Sequence, residues 1–247
     1  DIRDAAAVDR LFGELKPKVA WLAAAVTNVD RCETEPDEAW AVNVAGAGNV
    51  VRACREYCSK LVYISTDYIF DGRSGPYAED APARPLCEYG RQKLAGEHLV
   101  ATHAPDWLIV RTTVVYGWEE QGKNFVQRLA ASLKAGQRVR VPRDQVGSPT
   151  YAPNLADALA ELGDMSAWGV YNVAGPDLVD RYEFAVCAAK ALGLDAGLVE
   201  PVETSTLGQA AARPLKAGLW VDKASEVLKT KLLGYREALS LMASAAG

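Results

Sequence analysis

Three short apolar runs, Val19 to Ala25, Leu61-Val62-Tyr63-Ile64 and Trp107-Leu108-Ile109-Val110, constrain the fold more than any other feature. A strand with one wet face alternates apolar and polar residues. An unbroken apolar run is buried on both faces, as in a parallel sheet. Helix-length segments separate the runs. Asp4 caps a helix over Ala5 to Leu15 that Pro17 stops, Asp37 caps one from Glu38 to about Tyr57, and a third runs from Glu88 to about His103. This alternation predicts an α/β fold of the Rossmann type: a doubly wound parallel sheet, with right-handed crossovers placing helices on both faces. Functional groups then gather beyond the carboxyl ends of the strands, here the segments after Ile64 and Val110. Asn124 to Ala135 is helical again. After Pro142 the rhythm loosens: helices are expected over Ala152 to Leu162, Tyr182 to Leu192 and Tyr235 to Met242, with a strand at Val170 to Val173. A smaller α/β lobe for substrate over 148–247, partly interleaved with a dinucleotide-binding lobe over 1–147, is the expected division.

Composition narrows the function classes. The net charge is −5, with no run of Lys or Arg. A nucleic-acid partner is therefore not expected. No apolar run approaches the roughly 20 residues needed to cross a bilayer. The five cysteines (Cys32, Cys54, Cys58, Cys87 and Cys187) are odd in number and form no CxxC, which fits reduced thiols in a cytoplasmic protein. Cys54 and Cys58, four apart, are expected on one helix face as small buried side chains. His98 and His103 lack ligand spacing, so no metal site is expected.

Tyr89-Gly90-Arg91-Gln92-Lys93 places a phenol and an ammonium four apart near the start of a helix, on one face. A nearby cation favours the phenolate, so Lys93 is expected to lower the pKa of Tyr89 from its usual value of about 10. Such a pair can give a proton to a carbonyl oxygen as hydride arrives at its carbon. Tyr-x-x-x-Lys occurs by chance in many helices; context gives it weight. Upstream, a buried strand runs straight into Ser65-Thr66-Asp67. A hydroxyl there can polarise a substrate carbonyl, although it can also serve only to end the strand in a local turn.

These residues, taken in order, resemble the extended short-chain dehydrogenases/reductases, and among them the dTDP-4-dehydrorhamnose reductase branch. The matching stretches are Asp1-Ile2-Arg3-Asp4, Leu22 to Asp30, Asn43-Val44, Ser65-Thr66-Asp67-Tyr68-Ile69-Phe70-Asp71-Gly72, Tyr89 to Lys93, Arg111 to Gly117, Gly122 to Phe125, Asp144 to Thr150 and Ala212 to Leu215. The resemblance implies reduction of the 4-keto group of a nucleotide-activated deoxysugar, with NADPH or NADH as cofactor, a nucleotide sugar as partner molecule, and room for a homodimer. It implies Thr66, Tyr89 and Lys93 as catalytic residues. It places Asp1, Ile2, Ala23, Ala24, Ala25, Thr27, Asn43, Tyr89 and Lys93 at the cofactor. Val29, Thr66, Asp67, Tyr68, Val114, Asn124 and Arg213 fall at the sugar nucleotide, the last two toward its phosphates.

Two departures bear on that expectation. The family's glycine-rich phosphate turn is not among these residues, since the sequence joins the family's pattern at a later element; about 30 or more preceding residues are expected. Ala45-Gly46-Ala47-Gly48 lies in a helical stretch and is read as close helix packing. Val114 stands where the branch usually has tryptophan, which leaves the identity of the deoxysugar open. Two other readings compete: a non-catalytic regulatory subunit like the beta subunit of methionine adenosyltransferase, and a sugar-nucleotide dehydratase or epimerase. The intact Thr66, Tyr89 and Lys93 favour chemistry over regulation. Asp67-Tyr68, in place of the Asp-Glu usual in dehydratases, lacks the acid needed to eliminate water.

Overall fold

The computed structural model describes residues 1–245. In the first half of the chain α1 (Ala5–Leu15), β1 (Val19–Leu22), α2 (Val29–Thr34), α3 (Pro36–Trp40), α4 (Ala47–Glu56), β2 (Lys60–Thr66), α5 (Glu88–His103) and β3 (Trp107–Thr112) follow one another. The second half contributes β4 (Val115–Tyr116), α6 (Phe125–Lys134), β5 (Val139–Pro142), β6 (Val146–Gly147), β7 (Thr150–Tyr151), α7 (Ala152–Asp164), β8 (Gly169–Asn172), β9 (Val179–Asp180), α8 (Arg181–Ala191), β10 (Val199–Val202), α9 (Asp222–Val227) and α10 (Tyr235–Ser244).

Four strands form a parallel sheet in the order β1-β2-β3-β8. Side chains of successive strand residues point to opposite faces; β2 and β3 are buried on both, whereas β1, at the sheet edge, leaves Trp21 48% exposed and is not the buried strand that its apolar run predicts. Leu61, Tyr63 and Ile109 pack with Val8 and Phe12 of α1, Val50 and Cys54 of α4, and Val100 of α5. Val62, Leu108 and Val110 pack on the other face with Leu155, Ala158 and Leu162 of α7 and Ala224 of α9. Double burial explains why β2 and β3 read as unbroken apolar runs. Burying each Leu, Val or Ile contributes about 1.5–3 kcal/mol, so the sheet is the most firmly specified part of the molecule.

A second core surrounds the parallel pair β5–β10. Val126, Leu129 and Leu133 of α6, Phe184, Ala185 and Ala188 of α8, and Ala238, Leu239 and Met242 of α10 build it with Val141 and Val199. The two cores interleave along the chain, since α6 and β5 feed the second before α7 and β8 return to the first. Among the described residues no helix is long and apolar enough to cross a membrane.

The structure corrects three local expectations. The helix expected from Glu38 to Tyr57 is not uniform: α3, a π-helical stretch over Ala41–Gly46 and α4 run on as one helical segment from Pro36 to Glu56, with the short α2 before it. β1 ends at Leu22, so Ala23, Ala24 and Ala25 form the coil beyond the strand. Cys58 lies outside α4, exposed and at φ 54, and does not share a helix face with the buried Cys54. The helix has already closed at Glu56. Gly46 packs tightly, as its sequence context suggests: a Cβ there would meet Ile2 Cγ1 at 2.7 Å.

Candidate active site

The sheet brings Thr66 and Thr112, the last residues of β2 and β3, side by side in register. After Thr66 the chain makes a 3-10 turn over Asp67–Ile69, in which the Thr66 hydroxyl accepts from the Tyr68 amide at 3.3 Å. The N-terminus of α5 docks directly on this turn. A Cβ at Gly90 would overlap the Tyr68 carbonyl oxygen, so only glycine allows the approach that carries Tyr89 to Thr66. Tyr68 then meets Tyr89 edge-on, ring centroids 5.6 Å apart.

One turn further along α5, Lys93 is almost fully buried, with its ammonium over the Tyr63 ring at 4.0 Å from the centroid. Desolvation drives the Lys93 pKa down to about 7, and the Glu97 carboxylate works against that fall. The Tyr89 phenol moves opposite to the sequence expectation. Burial pushes it well above its ordinary value, and the Thr66 hydroxyl opposes the shift without cancelling it. Spacing shows that Tyr89 and Lys93 are neighbours but does not report how completely the phenol is desolvated. Tyr89 is thus held protonated, the form in which it can donate. Asp67, also buried, is pushed up to about 6 by desolvation, against hydrogen bonds from Thr113 and the Gly218 amide.

Thr66, Tyr89 and Lys93 open into one cleft of about 560 Å³, lined also by Ala23, Ala25, Thr27, Val29, Asp67, Tyr68, Val114 and Asn124. Ala23 and Ala25 bring backbone close to the cavity without bulk. A buried ammonium beside them has three donors, an arrangement that suits a hydroxyl-rich ribose. Val114, a β-branched residue, is held at φ 44 on the cleft wall, a conformation that persists only where surrounding structure imposes it.

Several sequence-designated residues act at one remove. Asn43, in the π-helical turn, accepts from the Val26 amide at 2.8 Å and donates to the Val26 carbonyl at 3.0 Å and to Gln92 at 2.8 Å. It therefore fixes the chain beyond β1 rather than facing the cavity. Asn124 caps α6 through Gln127 N and donates to the Gly117 carbonyl at 2.8 Å. Asp1 pairs with Arg3, and Ile2 packs against Gly46. Neither these two nor Ala24 is among the cleft-lining residues.

A second cleft, about 840 Å³, shares Thr27, Val29, Tyr68 and Lys123 with the first. Lys123, Arg128, Arg140, Arg181 and Arg213 line it against the single carboxylate of Asp30. Asp30 holds Arg213 at 2.8 Å and also accepts from the Ala211 amide at 3.0 Å. Arg213 is thereby fixed, with its side chain 8% exposed, and is not a loose surface residue. Arg181 stacks over Phe125 at 4.6 Å; desolvation lowers its pKa, and among the described residues neither it nor Arg128 has an ion-pair partner. Sequence reasoning missed Arg128, Arg140 and Arg181. One signal was available: Arg181 opens α8, where the helix dipole disfavours a cation.

Comparison with known proteins fits this geometry. The model of the RmlD substrate binding domain matches residues 1–246. The chain is 35% identical to the spore coat polysaccharide biosynthesis protein SpsK of Bacillus subtilis, over 97% of this chain and 83% of that protein. It is 36% identical to a dTDP-4-dehydrorhamnose reductase of Mycolicibacterium smegmatis, over 97% of this chain and 73% of the relative. The crystal structure of dTDP-4-dehydrorhamnose reductase from Bacillus anthracis in complex with NADP superposes with a TM-score of 0.92 at 34% identity, covering 98% of this chain and 85% of that one. Sheet order, strand-end hydroxyl, Tyr-x-x-x-Lys helix and these matches agree, and the chain belongs to the RmlD substrate binding domain family.

Proposed function

We propose that this chain is an oxidoreductase that reduces the 4-keto group of a nucleotide-activated deoxysugar, with NADPH or NADH as cofactor. One observation carries the reading: a protonated phenol, a strand-end hydroxyl and a buried ammonium share a cleft that continues into a cluster of one lysine and four arginines faced by the single carboxylate of Asp30. A diphosphate-linked sugar joins those two chemistries, with its diphosphate among the arginines and its ketone at Tyr89.

When bound, the reduced nicotinamide supplies the hydride. Ala23, Ala25 and Thr27 leave room for the dinucleotide, and Lys93 holds its ribose by donating hydrogen bonds. Thr66 donates to the substrate carbonyl oxygen and orients it. Tyr89 gives its phenolic proton to that oxygen as the carbon takes hydride, which balances the reduction to an alcohol. Val29, Tyr68 and Val114 wall the sugar. Arg128, Arg181 and Arg213 carry the diphosphate, a role the sequence reading assigned to Asn124 as well. In this reading the core around the parallel sheet serves the cofactor, and the core around β5–β10 serves the sugar nucleotide. The five free cysteines suit a reducing, cytoplasmic setting.

The test is NADPH oxidation with dTDP-4-keto-6-deoxymannose and related 4-keto sugars. Tyr89→Phe is expected to lower turnover by on the order of a hundredfold, since it removes the general acid. Turnover that is undiminished in the variant would refute the role of Tyr89. No turnover with any 4-keto sugar, despite measurable NADPH binding, would refute the reductase reading.

A further inference from the structure

The site rests on a buried charge network that the reaction as described leaves unused. Glu97 lies one turn beyond Lys93 on α5, and it is 4% exposed. Its carboxylate accepts from Arg111 Nη2 at 2.7 Å, from Arg111 Nε at 3.0 Å and from Ser65 Oγ at 2.5 Å. Arg111 donates onward to the Glu79 carbonyl at 2.8 Å. Ser65 and Arg111 pair in register, immediately before Thr66 and Thr112. Helix α5, β2 and β3 are therefore tied together beneath the residues that meet the substrate.

A buried ion pair is a poor stabiliser, because desolvating two charges offsets most of their attraction. A position that wanted only packing would be served by apolar side chains. What an apolar pair could not provide is a fixed negative charge next to Lys93. The ammonium has left water, sits over an aromatic face and is under pressure to lose its proton. Around it stand Tyr63 on β2, Tyr89 and Glu97 on its own helix and, behind Glu97, Arg111 on β3. Asp67 lies beyond Tyr89. Among these groups Glu97 is the one whose charge favours the ammonium.

We propose that Glu97, oriented by Arg111 and Ser65, is a positioning residue of the site, whose carboxylate keeps the neighbouring Lys93 charged. The inference builds on the reductase reading but concerns the ionisation of Lys93, which can be measured without turnover.

Two variants separate this role from a structural one. Glu97→Gln removes the charge and leaves Arg111 unneutralised. Glu97→Met/Arg111→Met removes both charges and leaves no buried orphan ion, so it remains informative if the single variant does not fold. In the native protein kcat/KM is expected to fall on the alkaline side as Lys93 loses its proton. In the double variant that limb moves about one pH unit toward acid, and in Glu97→Gln it moves further, because the uncompensated Arg111 also repels the ammonium. Activity lost at pH 8 returns within a fewfold of native below pH 6.5, while KM for the sugar nucleotide stays unchanged. A loss equally deep at every pH would overturn the proposal and leave Glu97–Arg111 a structural pair. The pH dependence of unfolding, compared with and without Lys93 in native and double-variant backgrounds, reads the same ionisation directly. A midpoint for Lys93 that does not differ between backgrounds also overturns the proposal, whether or not the protein reduces a 4-keto sugar.

Discussion

Lys93→Met should make the protein more stable while disabling it. Lys93 falls from an ordinary pKa of 10.5 to about 7 in the folded chain, chiefly through desolvation. The sign follows from which state binds the proton first. As pH drops below 10.5 the unfolded chain takes up the proton and is favoured; the folded chain follows only near 7. The burden on the folded state is thus absent at high pH, grows as pH falls from 10.5 to 7, and is constant below that. Each tenfold difference in proton affinity between the two states is worth about 1.4 kcal/mol, so linkage places the burden at about 4 kcal/mol at pH 7 and about 2 kcal/mol at pH 9.

Methionine keeps the length of the chain and the apolar contacts, and the contact of the ammonium with the Tyr63 ring is already contained in the folded-state pKa. The variant should therefore gain up to about 4 kcal/mol at pH 7, or roughly 8–16 °C in Tm for a chain of this size. Glu97 keeps Arg111 and Ser65 as partners, so no buried charge is orphaned by the change. Chemical denaturation of both proteins at pH 7 and 9 checks the argument. Expected is an advantage for the variant at pH 7 that shrinks by about 2 kcal/mol at pH 9. A constant difference across that interval would show that Lys93 titrates alike in both states, and the reasoning from burial would be wrong.

Arg181→Ala should raise KM for a sugar nucleotide at least tenfold, about 1.4 kcal/mol, and leave NADPH affinity within a fewfold; equal losses in both would place Arg181 elsewhere. Gly96→Ala should destabilise by about 1–3 kcal/mol, because a Cβ there would overlap the Tyr63 hydroxyl and push that ring from under Lys93; calorimetry together with NADPH affinity tests both parts. Asp67 has the opposite charge logic to a salt-bridged carboxylate. Its folded pKa of about 6 exceeds the ordinary 3.8, mainly through burial, so the folded state loses up to about 3 kcal/mol as pH rises from 3.8 to 6. Asp67→Asn should remove that segment of the stability–pH curve; an unchanged slope over that window would count against a buried, reluctant carboxyl.

How much of this was legible in the sequence depended on how far apart the cooperating residues lie. Tyr89 and Lys93 are four apart on one helix, and Thr66 ends a strand whose burial shows in its composition, so local pattern offered them as candidates, and the ordered series of family-like stretches gave them weight. The arginine cluster draws on α6, β5 and α8, which meet in the second core, and on the segment ending at Arg213, which Asp30 of α2 holds in place; no spacing rule connects them. The π-helical widening of the long helix at Ala41–Gly46 was hidden for a related reason. Its residues have ordinary helical preferences, and what marks the site is Asn43 reaching back to Val26, a contact across 17 positions.

Burial is also the quantity that reversed the expectation for Tyr89. Charge proximity can be read from an i, i+4 spacing, whereas desolvation depends on everything packed around the group. Here it dominates three ionisable groups at once, raising Tyr89 and Asp67 and lowering Lys93. In a dry site each proton sits where solvation alone would put it unless a fixed charge intervenes. Tyr89 stays protonated with no help and can therefore serve as a donor. Lys93 stays charged only as far as Glu97 and its partners allow. The residues proposed to touch substrate are the ones a motif finds, and the residues proposed to set their protonation are found only once the packing is known.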